Sequence, residues 1–120
     1  MFLDSSEVVR KVNGLTEKET ELACAFIQGA VYAWLGANPD KSFAVRDLFG
    51  GINAYVWQNT PLDPLWRRLE KAGKSPEDAF EQAAKDAGWL LKSVLKKDER
   101  IFLIEREEIS NRYSWKQDKQ

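Results

Sequence analysis

The sequence predicts a mainly helical α+β domain that ends in a β-hairpin. Three observations carry this. Apolar residues recur at three- and four-residue steps through Leu22–Leu35, Leu65–Leu69 and Phe80–Leu95. Helix-start signals stand just ahead of these stretches, at Thr16, Thr60 and Ser75. From Ile101 the pattern turns strand-like, in Ile101–Ile104 and again from Ile109 to Trp115. A length of 120 residues is one domain by size. Within 1–120 the chain divides into an arm or short helix over 1–15, a helical part over 16–73, and a last part over 74–116.

Each element has a local cause. In the arm, Val8, Val9 and Val12 have helical spacing, and Asn13-Gly14 interrupts them. Thr16-Glu17-Lys18-Glu19 has the form of a capping box, with Glu three residues after Thr. The helix it opens carries Leu22, Phe26, Ile27, Ala30, Val31, Trp34 and Leu35. Gly36 and Pro39 stop it. Between Leu22 and Ala37 the only clearly polar side chain is Gln28, so this helix is expected to be buried on most sides. The apolar run is shorter than the roughly 20 residues a bilayer span needs, so no membrane association is expected. Ala25, Gly29, Ala33 and Ala37 repeat at four-residue steps. They make a smooth stripe that lets another backbone come close. Burial against the chain's own core is the favoured use of this stripe, and a homodimer is the alternative.

Ser42 suits the cap of a short helix, Phe43–Phe49, ended by Gly50-Gly51. The β-rich Ile52–Trp57 reads as an extended connection. Thr60-Pro61-Leu62-Asp63 opens a helix whose Leu65, Trp66 and Leu69 face inward and which Gly73 closes. Ser75-Pro76-Glu77-Asp78 opens a longer helical stretch to about Asp98. Its apolar face holds Phe80, Ala83, Ala84, Ala87, Leu90, Leu91, Val94 and Leu95. In the hairpin, Glu105–Glu108 is a charged turn, and Tyr113 and Trp115 share one face of the return strand. Residues 117–120 read as a frayed tail.

Composition narrows the function. Hydrophobic residues are 43% and charged residues 31%, the balance of a folded soluble domain. Net charge is −1, which excludes a globally basic nucleic-acid binder. The chain has no His, which removes the commonest general base and every His-containing metal site. The single Cys24 lies in an apolar run and reads as a buried, unreactive thiol. One Cys, and a start at Met1-Phe2-Leu3-Asp4 that lacks a signal-peptide layout, fit a reducing cytoplasm. Glu17, Glu19 and Glu21, like Glu105, Glu107 and Glu108, lack the Gly-bearing loop of a calcium site. Gly50-Gly51 lacks the flanks of a phosphate loop. No enzyme, cofactor or metal is therefore expected. The eight residues Tyr32, Trp34, Tyr55, Trp57, Trp66, Trp89, Tyr113 and Trp115 are expected mainly in the core.

One constellation carries functional content. Ala84, Gly88 and Val94 have the offsets of a small residue, a turn residue and an anchoring apolar residue. With the hairpin behind them, Pro76–Trp115 resembles a winged helix-turn-helix. The resemblance implies a first helix over Pro76–Ala87, a recognition helix over Leu90–Asp98 and a wing over Ile101–Trp115. It implies duplex contacts from Lys92, Ser93, Lys96, Lys97 and Arg100, from Arg106 at the wing tip, and from Arg112 and Lys116. Residues 85–120 carry nine Lys/Arg against seven Asp/Glu, while the rest carry nine against twelve, so the resembling part is the more basic one. Two features depart from the pattern. Lys97 stands where such motifs hold an apolar residue, and Glu105, Glu107 and Glu108 would repel phosphates. The competing reading is one continuous helix with a tolerated Gly88 and solvated lysines. The expected function is non-enzymatic, regulatory duplex-DNA binding. The alternative is a protein-interaction adaptor of the same fold.

Overall fold

A computed structural model describes residues 1–4, 7–49, 57–107 and 111–117. They form α1 (Glu17–Ala37), α2 (Val45–Phe49), α3 (Asp63–Lys71), α4 (Pro76–Lys97), β1 (Phe102–Arg106) and β2 (Asn111–Trp115). The helical domain with a C-terminal hairpin is the architecture expected. The expected glycine stop at Gly50-Gly51, most of the Ile52–Trp57 connection, the hairpin turn at 108–110 and the last three residues lie outside the described residues.

α1 starts where the capping box places it. The Thr16 hydroxyl accepts from the Glu19 amide at 3.0 Å, and the Thr16 amide donates to Glu19 Oε1 at 2.8 Å. Ser75 caps α4 by accepting from the Asp78 amide at 3.2 Å. α3 begins later than its sequence signal. Leu62, not Thr60, is its N-cap residue. Thr60 instead orders the preceding turn, donating to the Trp57 carbonyl at 2.7 Å and accepting from the Leu62 amide at 3.2 Å. Gly73, at φ 97°, ends α3. The Gly73 amide donates to the Glu70 carbonyl and the Lys74 amide to the Leu69 carbonyl, the paired bonds of a Schellman motif.

The expected break at Gly88 is absent, because α4 runs unbroken from Pro76 to Lys97. The separate helices over Pro76–Ala87 and Leu90–Asp98 are thus one. The apolar spacing continues across Gly88, so Ala83, Ala87, Leu90, Leu91, Val94 and Leu95 are all buried. A helical glycine costs only about 1 kcal/mol relative to Ala, less than splitting that face. Gly88 faces Val45 of α2.

α4 is the central element, and α1, α2 and α3 pack on it. The hairpin is antiparallel, with Phe102 opposite Trp115 and Ile104 opposite Tyr113. Glu105 and Arg106 belong to β1 and not to the turn. Both edges of the hairpin are covered. On one side the arm forms a bridge between Phe2 and Leu103, with the Leu3 amide donating to the Phe102 carbonyl at 3.0 Å. On the other, Phe43 exchanges two 2.8 Å bonds with Tyr113. This pairing also moves the start of α2 from Phe43 to Val45. The Ala44 amide then donates to Asp47 at 2.7 Å, where Ser42 was the expected cap. Phe43 sits edge-on to Phe102 and tilted against Tyr113, which ties the hairpin to the core. Among the described residues, no helix is long and apolar enough to cross a membrane.

Gly88→Ala should stabilise the fold by about 0.5–1 kcal/mol, read as a higher urea midpoint. A Cβ there meets Val45 Cγ2 at 3.9 Å, an ordinary contact. A positive-φ turn at this position would give the opposite sign.

Candidate functional site

Two surfaces compete for the role of functional site. One is the basic set on α4 and the hairpin. The other is the outward face of α1.

Most of the basic set is engaged inside the domain. Lys92 is 3% exposed, and its Nζ lies 3.6 Å from Glu7 Oε2. Arg106 Nη2 donates to both Glu7 carboxylate oxygens at 2.8 and 2.7 Å. Lys96 Nζ donates to the Glu7 backbone carbonyl at 2.6 Å. Three residues read as phosphate contacts thus converge on one buried residue of the N-terminal arm. Trp89 is flanked by Lys92 and Arg10, each 5.4 Å from its ring centroid. Arg100 lies between Tyr32 and Trp115, 4.6 and 4.5 Å from their rings. Arg112 pairs with Asp47 at 3.3 Å and Glu107 at 3.2 Å. Lys116 stands 4.5 Å over the Phe2 ring. Ser93 is half-buried, and Lys97 is exposed. The exposed charged side chains near the start of α4 are Lys74, Glu77, Asp78, Glu81 and Lys85. Arg68, beside the arm's Gly14, donates to Asp86, which also accepts from Gln82.

α1 has two apolar faces, and the chain covers one. Ala23, Ile27, Val31 and Leu35 are buried. On the opposite side Ala25, Gly29, Ala33 and Ala37 are all exposed, with Gly36 among them. The favoured burial of this stripe in the chain's own core is therefore overturned. Among the described residues, α2 and α3 pack on α4 instead. Leu22 is 50% exposed and Tyr32 is 42% exposed on the same face. No charged residue lies between Leu22 and Ala37. Gln28 donates to the Tyr32 hydroxyl at 3.3 Å, and Arg100 supports the Tyr32 ring. The ring is thus held in place at the edge of the bare face.

The other aromatics behave mainly as core. Trp57 and Tyr113 are buried, and Trp34, Trp66, Trp89 and Trp115 are half-buried. Tyr55 lies outside the described residues. Burial pushes the Tyr113 hydroxyl above its usual pKa. Burial also pushes the Cys24 thiol up, although Lys97 lies close enough to oppose part of the effect. That basic neighbour was not visible in the sequence around Cys24.

Two hollows lie among the described residues. A hollow of about 180 Å³ is lined by Lys74, Asp78, Glu81, Gln82 and Lys85. Another, of about 280 Å³, lies along the hairpin at Ser42, Glu105 and Arg112. Both are smaller than the roughly 300–1,000 Å³ of ligand pockets. Among the described residues no group of acidic or Cys side chains is placed to hold a metal ion.

Sequence reasoning missed Glu7. Its partners Lys92, Lys96 and Arg106 are 85 or more positions away, and nothing local marks it out. It also placed Leu22 and Tyr32 indoors, because periodicity shows that a face is apolar without showing what covers it. No protein-family model matches the chain, and neither a curated protein nor a solved structure proves similar to it.

Glu7→Ala should lower stability by about 3 kcal/mol in urea unfolding, because it leaves Lys92 buried without its carboxylate. Loss below about 1 kcal/mol would mean that the arm is dispensable. Cys24 should alkylate slowly at pH 8, with a rate that climbs only as pH passes the ordinary thiol value of 9.0. Fast labelling at pH 7 would contradict its raised pKa.

Proposed function

We propose that this chain is a non-enzymatic protein-interaction module whose docking element is the outward face of α1. A single observation carries this: α1 presents an exposed, mainly apolar surface from Leu22 to Ala37, bordered at Tyr32 by Arg100 and otherwise left open by the described residues. Exposed single apolar residues are ordinary, but a helix apolar on both sides is not. Its Gln28, Tyr32 and Arg100 contacts favour a preformed surface over a floppy one. The small hollows and the absence of His favour a binding role over catalysis.

Duplex binding through α4 and the hairpin draws less support. Lys92, Lys96 and Arg106 are committed to Glu7, and Arg112 to Asp47 and Glu107. A recognition helix usually offers its N-terminal residues to the groove. In α4 those residues include Glu77, Asp78 and Glu81, which repel phosphates.

The two functions separate in one pair of measurements. A photo-crosslinking amino acid at Ala33 should give a defined protein adduct in cells. Leu22→Arg should abolish that adduct while leaving the circular dichroism melt unchanged, and the same probe at Glu81 should give none. An adduct that survives Leu22→Arg, or no adduct, would overturn the proposal. Retention of random duplex at about 50 mM salt, lost when Lys97 and Arg100 are both replaced by Ala, would favour the DNA function instead.

A further inference from the structure

We propose that Lys92 and Arg106 form a binding site for a phosphate-type dianion, which Glu7 of the arm occupies as an internal competitor. This site is separate from the α1 face and does not depend on it.

The occupant shows what chemistry the site takes. Glu7 is buried, and its carboxylate is an oxyanion set between the Lys92 ammonium and the Arg106 guanidinium. It fills the site incompletely. Both of its oxygens accept from one nitrogen, Nη2 of Arg106, at 2.8 and 2.7 Å. Lys92 Nζ stays 3.6 Å from Oε2, too far for a hydrogen bond. The carboxylate therefore gives this buried ammonium a charge partner but no acceptor. A tetrahedral oxyanion has the oxygens that a carboxylate lacks. Two can take the Arg106 fork while a third turns to Lys92.

Charge points the same way. Glu7 brings one negative charge to a place where Lys92, Arg106 and, at the Glu7 backbone carbonyl, Lys96 converge. Arg10 stands at the same Trp89 ring as Lys92 and adds to the positive field. A phosphate dianion brings two charges. The acids flanking Arg106 in the sequence are directed elsewhere. Glu105 lies opposite Arg112 in the hairpin, and Glu107 pairs with Arg112 at 3.2 Å. Exchange of the occupant is cheap, because a buried ion pair recovers little more than its desolvation costs, whereas an empty site is costly. The Glu7 backbone is held separately, by Lys96 at its carbonyl and by the Asp4 carbonyl at its amide. The side chain can leave the cations while the arm keeps its place. Arg106 is exposed, so the site is reached from the hairpin surface without opening the core.

The test is a thermal titration of the full chain with inorganic phosphate at about pH 8, where the dianion dominates, against chloride at equal ionic strength. Glu7→Ala empties the site and keeps the backbone carbonyl that Lys96 binds. Phosphate should raise the melting temperature of this variant saturably, with an apparent dissociation constant at least about tenfold below that of the wild-type chain. If Glu7→Ala does not fold, Glu7→Gln keeps the shape of the side chain without its charge and should show the same gain in affinity. Lys92→Met in either background should abolish the phosphate response, and it should not unfold the chain, because it removes a buried cation whose partner is already gone. Phenyl phosphate separates two sources of the group: binding tighter than phosphate assigns the site to a phosphomonoester, and weaker binding assigns it to the free ion. No phosphate-specific shift in either Glu7 variant would overturn the proposal. Equal affinity in variant and wild type would also overturn it, because Glu7 would then not be the competitor, as would a response that survives Lys92→Met.

Discussion

α4 buries residues from Ala79 to Leu95 over about half its circumference, and a helix of that kind has to be wrapped. In a chain of 120 residues few elements are available to do it. α1, α2 and α3 are all used on α4, and the hairpin closes against Phe43. Among the described residues, no element packs on the second face of α1. The bare surface follows from the same constraint that makes the core. Hydrophobic burial stabilises the fold roughly in proportion to the area removed from water. Each covering element therefore contributes most by packing on the apolar face of α4.

The arm shows a second consequence. Lys92 and the stems of Lys96 and Arg106 cluster beside the hairpin, where like charges would repel. Glu7 enters this cluster with one carboxylate and one backbone carbonyl, and both are used. Removing the carboxylate leaves a buried ammonium, which is costly because desolvation is no longer offset. Met1–Leu3 extends the hairpin by backbone bonds, and Glu7 pins the strap further along. The arm is thus held by polar contacts at its start and at Glu7, although most of its described side chains are exposed.

Much of the fold was legible because its causes are local. The Thr16 capping box, the Ser75 cap, the Gly73 stop and the two strands depend on neighbours within a few residues. The failures share a different cause. Gly88 looked like a turn because glycine tolerates one, but the buried spacing of Ala87, Leu90 and Leu91 required a helix. Phe43 looked like the first turn of α2, but its partner Tyr113 lies 70 positions away. The basic excess in residues 85–120 gave no sign of its intramolecular partners. In three dimensions Lys92 and Arg106 pair with Glu7, and Arg112 with Asp47, from the acidic remainder. A charge imbalance along a sequence predicts a field only if the folded chain leaves it unpaired.

The same distinction governs α1. Its periodicity announced an apolar surface on all sides, and sequence could not say which side would meet its own chain. Burial of Ile27 and Val31 fixes the inner face. The outer face then inherits whatever the inner one does not need, and here that includes Gly29 and Gly36, where an added Cβ meets no described atom within 4 Å. Glycine in a helix is a standing cost of about 1 kcal/mol. On a covered face, packing explains it. At Gly29 and Gly36 packing within the described residues does not explain it, so that cost is set by something other than the core that fixes the inner face.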